Sequence, residues 1–256
     1  MKLYLICPQC GENRAVGETY KVFSDSFLVS DSGIYEFQCP KGHQHITILR
    51  MQKHDLLFNL GITAFLDNYY RESLANFASS LERYYEFALR VIYRSAGIDK
   101  SIFEKNWKFI SNQSERQLGA FIFSWGLYEN NIFTDNSLNM FNKMSSLRNK
   151  VIHKGKILSE EECRQYGEHT FSLIKYINEK ITQKDNSSYE EEYFLPWRAS
   201  REKTKNKYKN IEVCNLSMPH FLEKESFRDA LESARKFREK QKKFYASKYN
   251  YHVRVE

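Results

Sequence analysis

The chain contains few residues that interrupt regular structure and few that can form cross-links. Its 256 residues include only 4 prolines and 10 glycines, a composition that favours a mainly helical protein. The 5 cysteines suit metal ligands or buried thiols better than disulfides, because we expect a reducing cytosol. No apolar run reaches about 18 residues, so no membrane-spanning segment and no membrane partner are predicted.

The N-terminus and the composition narrow the class of protein further. The apolar part of residues 1–8 is too short for a signal peptide, so we expect a cytoplasmic location. Hydrophobic residues make up 41% of the chain and aromatic residues 15%, which is enough for a folded core. The formal net charge of +7 fits a mildly basic soluble protein or a binder of polyanions, and charge alone slightly favours the first.

The hydrophobic pattern divides the chain into three parts and predicts a mainly α fold. Residues 1–50 contain short apolar or alternating runs separated by turn signals, which predicts a small β-rich module. Residues 51–184 carry apolar side chains at helical spacing, which predicts an all-α bundle. After a linker-like stretch at 184–188, residues 185–256 form a basic, partly helical C-terminal extension.

The individual helices follow from the same spacing. One helix is expected from about residue 54, one through 73–92 that ends near Gly97, and others at about 101–110, 114–127, 137–153 and 159–181. Ser159 followed by three glutamates is a start signal, with a serine cap and acids in the first turn. A charged helix at 224–245 is expected to pack its apolar side on the bundle or on a second copy.

Two cysteine-containing turns in the first part have the spacing of zinc ligands. Cys7, Cys10 and Cys39 are the firm members of the set, and His43 is the expected fourth ligand, with His45 as its competitor. The pattern resembles a zinc ribbon, although a histidine stands where many ribbons have a second Cys-x-x-Cys. A closed set of four ligands is structural, so we expect zinc to help a small module fold and to take no part in catalysis. The alternative is a set of unrelated buried cysteines.

The stretch from Arg148 to His153 contains the residues with the clearest chemistry. It combines an arginine, the amide of Asn149 and a histidine within about one and a half turns of a predicted helix. An arginine binds phosphate with a planar fork of donors, and a histidine moves protons near neutral pH. Such groups suffice to cleave RNA without a metal, because the 2′-hydroxyl of RNA is an internal nucleophile.

The order of Arg148, Asn149, three residues and His153, within a multi-helix pattern, resembles the HEPN family (higher eukaryote and prokaryote nucleotide-binding). The family pattern is an arginine, four to six residues and a histidine, usually with a polar residue directly after the arginine. The flanking residues 146–155 and the earlier helix at 70–87 are also similar, especially to the phage-defence and abortive-infection branches. The resemblance covers residues 54–182 and implies an antiparallel helical bundle that works as a homodimer, with two motifs facing one shared cleft.

The resemblance further implies a metal-independent endoribonuclease in bacterial antiphage, abortive-infection or toxin-like defence. Arg148 would bind the scissile phosphate, and His153 would act as general base or acid on the 2′-hydroxyl or the leaving 5′-oxygen. Asn149 would orient the phosphate or the histidine. The expected products are a 2′,3′-cyclic phosphate and a 5′-hydroxyl, and catalysis would need no cofactor.

The expected partners follow from this function. RNA is the substrate, and its backbone would be guided by three lysines: Lys150, Lys154 and Lys156. A phage-derived trigger or an antitoxin protein is expected, because a toxic ribonuclease must be restrained in a healthy cell. Basic runs at 198–209 and 235–243 are a further RNA-binding candidate, although a solvated charged face is the commoner role of such a run.

Three alternatives stay open on the sequence. The chain could be a non-catalytic HEPN-like adaptor for nucleic acid or protein, with the zinc module doing the recognition. It could instead be an RNA-processing factor with a narrow choice of substrate. Arg148 and His153 could also serve only the end of a helix, where a positive charge is favourable.

Overall fold

The computed structural model describes residues 2–6, 23–39, 41–207, 212–216 and 219–249. The fold is mainly helical with small β-sheets, which confirms the coarse prediction of fold class. Within these residues, no helix has the length and apolar character needed to cross a membrane. Cys7 and Cys10, two of the predicted zinc ligands, lie outside the described residues.

The strands form two small sheets. They are β1 (Lys2–Ile6), β2 (Phe23–Leu28), β3 (Ile34–Gln38), β4 (Gln44–Leu49) and β5 (Glu212–Leu216). Strands β1 and β2 pair antiparallel, whereas β4 pairs antiparallel with β3 and parallel with β5. Strand β5 was not predicted, because its few residues have little pattern of their own and pair with a strand more than 160 positions earlier in the sequence, with Ile46 opposite Val213.

The helices follow the predicted order. They are α1 (Lys53–Leu66), α2 (Tyr70–Ser95), α3 (Lys100–Ile110), α4 (Ser114–Glu129), α5 (Asp135–Lys154), α6 (Glu160–Lys207) and α7 (Phe227–Tyr249), with a 3₁₀ turn at Phe221–Glu223 before α7. The starts of α3 and α6 are stabilised by local hydrogen bonds. Asp99 accepts the N–H of Ser101 at 2.8 Å at the start of α3. At the start of α6, the Ser159 hydroxyl accepts the N–H of Glu162 at 3.2 Å and the Glu162 carboxylate accepts the N–H of Ser159 at 3.1 Å, which confirms the predicted start signal.

Helices α1 and α2 form an antiparallel pair. The Ser73 hydroxyl donates to the carbonyl of Gly61 at 2.9 Å, and the Ser80 hydroxyl donates to the carbonyl of His54 at 2.8 Å. Later positions of α2 therefore meet earlier positions of α1. The turn between the helices is short and uses a left-handed residue, Asn68, with a φ of 62°.

Helices α4 and α5 are antiparallel as well. Their opposite directions determine which part of α4 lies next to the candidate site on α5. Asn149, near the end of α5, contacts Glu115 in the first turn of α4. Phe133, just before α5, stacks on Trp125 near the end of α4 with ring centroids 5.7 Å apart. The end of α5 therefore lies beside the start of α4.

The core of the helical part is built from four phenylalanine rings. Phe58 packs on Phe77 at 5.1 Å and on Phe171 at 6.1 Å, and Phe227 of α7 packs on Phe77 at 5.9 Å. Gly167 of α6 permits this approach, because a Cβ there would lie 2.6 Å from the Phe227 ring. Helix α7 therefore packs its apolar side on the bundle, the first of the two predicted arrangements.

The predicted linker at 184–188 corresponds to a kink and not to a stretch without helix, because α6 joins two helical segments at Asp185 and reaches Lys207. Only Asp185 departs from helical geometry, with a φ of −154° and a ψ of 80°. Its carboxylate accepts the N–H of Ser188 at 3.0 Å and the hydroxyl of Ser95 at 2.6 Å, so it caps the second half of the helix. The hydrogen bonds from Ser188 and Ser95 lower the pKa of Asp185.

The chain divides into two compact units. The first comprises Met1–Gln52 and Tyr189–Met218, and the second comprises Lys53–Ser188 and Pro219–Glu256. The predicted C-terminal extension, 185–256, is thus shared between a sheet-containing unit and a helical unit. The predicted boundaries near 50 and 184 lie close to the ends of the continuous helical segment, 53–188.

Candidate active site

The predicted motif lies in the last two turns of α5. The helix stops after Lys154 because Gly155 takes a left-handed conformation with a φ of 67°, and its N–H bonds to the carbonyl of Lys150. His153 and Lys154 are therefore in the last turn, where the helix dipole favours positive charge. Arg148 and Asn149 lie one turn earlier.

Arg148 is held by groups from three helices. Its Nη2 donates to the Oε1 of Glu82 on α2 at 3.3 Å and to the Oγ of Ser114 on α4 at 3.0 Å. Its Nη1 donates to the Oδ1 of Asn149 at 2.8 Å, and the Ser114 hydroxyl donates to Glu82 at 2.6 Å. A guanidinium group has five N–H donors, so its Nε–H and one Nη1–H have no partner among the described residues.

Asn149 connects Arg148 to a second carboxylate. Its Nδ2 donates to the Oε1 of Glu115 at 3.3 Å, while its Oδ1 accepts from Arg148. Hydrogen bonds from its own backbone N–H and from Asn149 lower the pKa of Glu115, and the charges of Arg148 and His153 lower it further. Asn149 therefore has a fixed orientation, and Glu115 stays ionised at neutral pH.

His153 has surroundings that differ from those of Arg148. Its side chain is exposed, and no hydrogen bond or ion pair of its imidazole occurs within the described ranges. On a regular helix, five residues correspond to a rotation of about 140°, so the two side chains leave α5 in different directions. Within the part of the chain that the structure describes, no hydrogen bond joins Arg148 to His153. One copy of the site therefore offers an anchored arginine and a separate, accessible imidazole.

A small cavity lies beside Arg148, with a volume of about 40 Å³. Its lining includes the apolar side chains of Leu81, Phe141 and Met144 and the buried phenols of Tyr85 and Tyr166. Burial raises the pKa of both tyrosines, so their hydroxyl groups stay protonated near neutral pH. The cavity is too small to hold a nucleotide.

The three predicted RNA-binding lysines are in unequal surroundings. Lys150 and Lys154 are exposed, and no carboxylate lies within ion-pair distance of either ammonium among the described residues. The ammonium of Lys156 contacts the carboxylate of Glu162 in the first turn of α6. Lys150 and Lys154 are thus available to an anion, whereas Lys156 already has an anionic partner.

The described half of the predicted metal site contains Cys39 and His43. The Sγ of buried Cys39 lies 3.5 Å from the Nδ1 of His43, in a turn closed by a hydrogen bond from the Cys39 N–H to the His43 carbonyl. Usual zinc–sulfur and zinc–nitrogen bond lengths at a tetrahedral angle separate two ligand atoms by about 3.6 Å. The pair therefore fits two positions of one zinc site.

His45, the competing ligand, occupies a different position. It lies on β4 opposite Phe37, is 1% exposed, and has its ring 5.3 Å from the Phe37 ring. Among the described residues, no group of three or more side chains that could hold a metal ion is present. The other two predicted ligands, Cys7 and Cys10, lie outside the described residues.

Sequence reasoning missed Ser114 and Glu115. The helical spacing of Glu82 allows its side chain to reach the cleft at Arg148, although the same spacing fits an ordinary polar face. The contacts of Arg148 with Ser114 and Glu82 span 34 and 66 residues. A motif of six residues does not indicate partners that are so far away in the sequence. The only signal available was that Glu82 lies in the helix at 70–87, which the family resemblance already included.

Comparison of the chain with known protein-family models gave no match, and comparisons with curated proteins and with solved structures also gave none.

Proposed function

We propose that the chain is a metal-independent endoribonuclease of the HEPN type that acts as a homodimer in bacterial antiphage, abortive-infection or toxin-like defence. The observation that carries this proposal is the pairing of an anchored arginine with an accessible histidine one turn later on α5. Arg148 keeps two N–H donors for a phosphate. The imidazole of His153 makes no hydrogen bond or ion pair among the described residues, and Glu115 interacts with it only through charge.

The chain's own residues supply each part of the reaction. Arg148 binds the scissile phosphate and stabilises the charge that develops on its oxygens. The 2′-hydroxyl loses its proton to a base and its oxygen attacks phosphorus, while the bond from phosphorus to the 5′-oxygen breaks. The leaving 5′-oxygen then gains a proton. His153 is suited to either proton transfer, and the reaction leaves a 2′,3′-cyclic phosphate and a 5′-hydroxyl.

A dimer suits the separation of the two groups. In one copy, Arg148 faces the bundle and His153 faces solvent, so one motif alone offers an incomplete site. A second motif across a shared cleft would bring another histidine and another arginine to the same phosphate. Two imidazoles would then be available, one to take the proton from the 2′-hydroxyl and one to protonate the 5′-oxygen.

The test is RNA cleavage by the purified protein in EDTA, beside Arg148→Ala and His153→Ala. We expect wild type to cut RNA and both variants to lose activity by at least about a hundredfold, the usual effect of removing a positioned acid, base or charge-stabilising group. Lys143→Ala is the matched control, because Lys143 is an exposed basic residue on the same helix, outside the motif.

Folding must be measured in the same samples, because EDTA would also remove a structural zinc ion. Circular dichroism before and after EDTA separates loss of structure from loss of activity. If folded wild type leaves RNA intact, the growth of cells that express wild type is compared with that of cells that express His153→Ala. Growth arrest by wild type alone indicates a restrained enzyme, whereas equal growth contradicts the proposal.

A second candidate function is a non-catalytic adaptor for nucleic acid or protein. The observation that favours it is the contact of Arg148 with Glu82, because a carboxylate already occupies part of the guanidinium group that a phosphate would use. An adaptor predicts RNA or protein binding that survives His153→Ala, with no cleavage by either protein.

We also propose that Cys7, Cys10, Cys39 and His43 hold one structural zinc ion. The distance between Cys39 and His43 supports this, together with the Cys-x-x-Cys spacing of the other two. Metal analysis of the purified chain should find about one zinc ion, and His43→Asn should lose it. Retention in His43→Asn together with loss in His45→Asn would assign the fourth position to His45.

A further inference from the structure

A second and larger concavity lies on the helical unit. Its volume is about 490 Å³, within the range of small-molecule sites and about ten times that of the cavity beside Arg148. It is formed by the end of α4, the following loop, the first half of α5 and the middle of α6. The groove shares Phe141 and Met144 with the cavity beside Arg148, but it contains none of the proposed catalytic or RNA-binding residues.

The groove has an aromatic floor and an apolar rim. Trp125 is buried below it, with its ring 5.7 Å from the Phe133 ring and 6.3 Å from the Tyr176 ring. Tyr176 is 45% exposed and Ile132 is 81% exposed, although both line the groove. The ring of Tyr176 is a flat surface that remains in contact with water, which favours a planar aromatic ligand, because stacking would remove both surfaces from water.

The charges in the groove favour a ligand with a negative group. Glu129 is the one carboxylate among the lining residues, and the ammonium of Lys184 lies 3.7 Å from it. Lys180 also lines the groove, and no carboxylate of the described residues lies within ion-pair distance of its ammonium. Lys180 is one helical turn after Tyr176 on α6, so the cation and the exposed aromatic ring are on the same face.

Polar side chains complete a pattern typical of ligand sites. His169 lines the groove, and its Nδ1 lies 2.5 Å from the carbonyl of Gln165. Since a carbonyl only accepts, Nδ1 carries a hydrogen and Nε2 is the nitrogen left for another partner. Hydroxyl and amide groups from Ser172, Thr134 and Asn131 also line the groove. A mainly apolar concavity with a few convergent polar groups and one cation is the usual form of a small-molecule site.

We propose that this groove binds a small planar aromatic molecule that carries one negative charge. The ring system stacks on the exposed ring of Tyr176, above buried Trp125, and the anionic group pairs with Lys180. This inference goes beyond the proposed ribonuclease and does not rest on it, because the groove and the Arg148 site have different polar residues.

The test uses calorimetric titration of the full chain with two probes of similar shape. One is 8-anilinonaphthalene-1-sulfonate, which has a planar naphthalene ring system and an anionic sulfonate, and the other is its neutral analogue N-phenyl-1-naphthylamine. We expect both to bind. Lys180→Gln should weaken the anionic probe by about twofold to fivefold and leave the neutral probe unchanged. Lys143→Gln, an exposed lysine on α5 outside the groove, removes the same charge and should change neither.

A filled groove provides the second variant. Ser172 is exposed on α6 and lines the groove, so Ser172→Trp should fill it without disturbing the core and should weaken both probes by more than about tenfold. Equal binding of both probes to wild type and Ser172→Trp would overturn the site. Loss in Ser172→Trp with no effect of Lys180→Gln would overturn its preference for an anion. Thermal unfolding of each variant confirms that the compared proteins are folded.

Discussion

The centre and the edge of the helical unit are stabilised by different contacts. At the centre, Phe58, Phe77 and Phe227 pack ring against ring and are almost completely buried. At the edge, Arg148 and Glu82 are joined by hydrogen bonds and each keeps 23% of its side chain exposed. Removing one of the central rings should lower the free energy of unfolding substantially, because it leaves a cavity. The partly exposed charges at the edge contribute little to the free energy of unfolding. Substitutions at the edge should therefore change function in a protein that still folds.

The largest expected effect comes from removing a central ring. Phe227→Ala should lower the free energy of unfolding by about 3–5 kcal/mol, because it leaves a cavity between α7 and the bundle. Phe123→Ala is the matched control, since Phe123 of α4 is 81% exposed, and it should change stability by no more than about 0.5 kcal/mol. Urea unfolding followed by circular dichroism measures both. Similar losses in the two variants would contradict the proposed division between centre and edge.

The second effect concerns a buried histidine of the core and depends on pH. Burial lowers the pKa of His54; the charge of Asp55 opposes this shift, and His220 adds to it. Well above pH 6.5, the ordinary pKa of a histidine, the imidazole is neutral in both states and the contribution of His54 to stability is fully present. Below it, the unfolded chain binds a proton that the folded chain resists, so stability falls as pH falls toward the lower folded pKa.

Chemical unfolding between pH 7.5 and 5 measures this dependence. The contribution of His54 should grow as the pH falls below 6.5 and cannot exceed about 1.4 kcal/mol per pH unit, the limit for one proton. His54→Gln should make the dependence shallower, even if its stability at pH 7.5 is lower. An unchanged slope in His54→Gln would assign the acid sensitivity to other groups.

The smallest expected effect on stability is at the edge, where Glu82→Gln keeps the shape of the side chain and removes its charge. Stability should fall by less than about 1 kcal/mol. RNA affinity should rise by about twofold to fivefold, because the carboxylate no longer competes with phosphate for Arg148. Affinity is measured in a His153→Ala background to prevent cleavage.

Glu72→Gln is the control for Glu82→Gln, because it makes the same change of charge at an exposed position of the same helix. If both variants raise RNA affinity equally, the effect reflects net charge alone. If neither raises it, Glu82 does not compete with phosphate, and the proposed role of Arg148 is weakened.

The elements of the fold that depend on local pattern were predictable from the sequence. The spacing of Leu74, Phe77 and Leu81 indicated α2, and Ser159 with Glu162 indicated the start of α6, because both signals lie within a few residues. Strand β5 and the second helical segment of α6, which begins directly after Asp185, were not predicted. Each depends on partners far away in the chain, a neighbouring strand in the first case and Ser95 in the second.

For the candidate site, the sequence could predict which residues take part but not the surroundings of their side chains. Arg148, Asn149 and His153 could be named from their order, but the opposite surroundings of Arg148 and His153 could not. Those surroundings depend on Glu82 and Ser114, which the folding of α2 and α4 brings to α5. The sequence also did not show that Lys156 pairs with Glu162 whereas Lys150 stays exposed and without an ion pair among the described residues. Both facts depend on the geometry of the helix ends, which the pattern of charged residues does not specify.

Cleavage of a defined RNA oligonucleotide tests the central claim most directly. The all-ribose strand is compared, in EDTA, with a strand that has a single 2′-deoxyribose at the mapped cleavage position. We predict that wild type cuts the all-ribose strand to a 2′,3′-cyclic phosphate and a 5′-hydroxyl, that the deoxy strand stays intact at that position, and that folded Arg148→Ala and His153→Ala cut neither. Cutting of the deoxy strand at that position, or a product with a 5′-phosphate, would contradict attack by the 2′-hydroxyl and with it the proposed roles of Arg148 and His153.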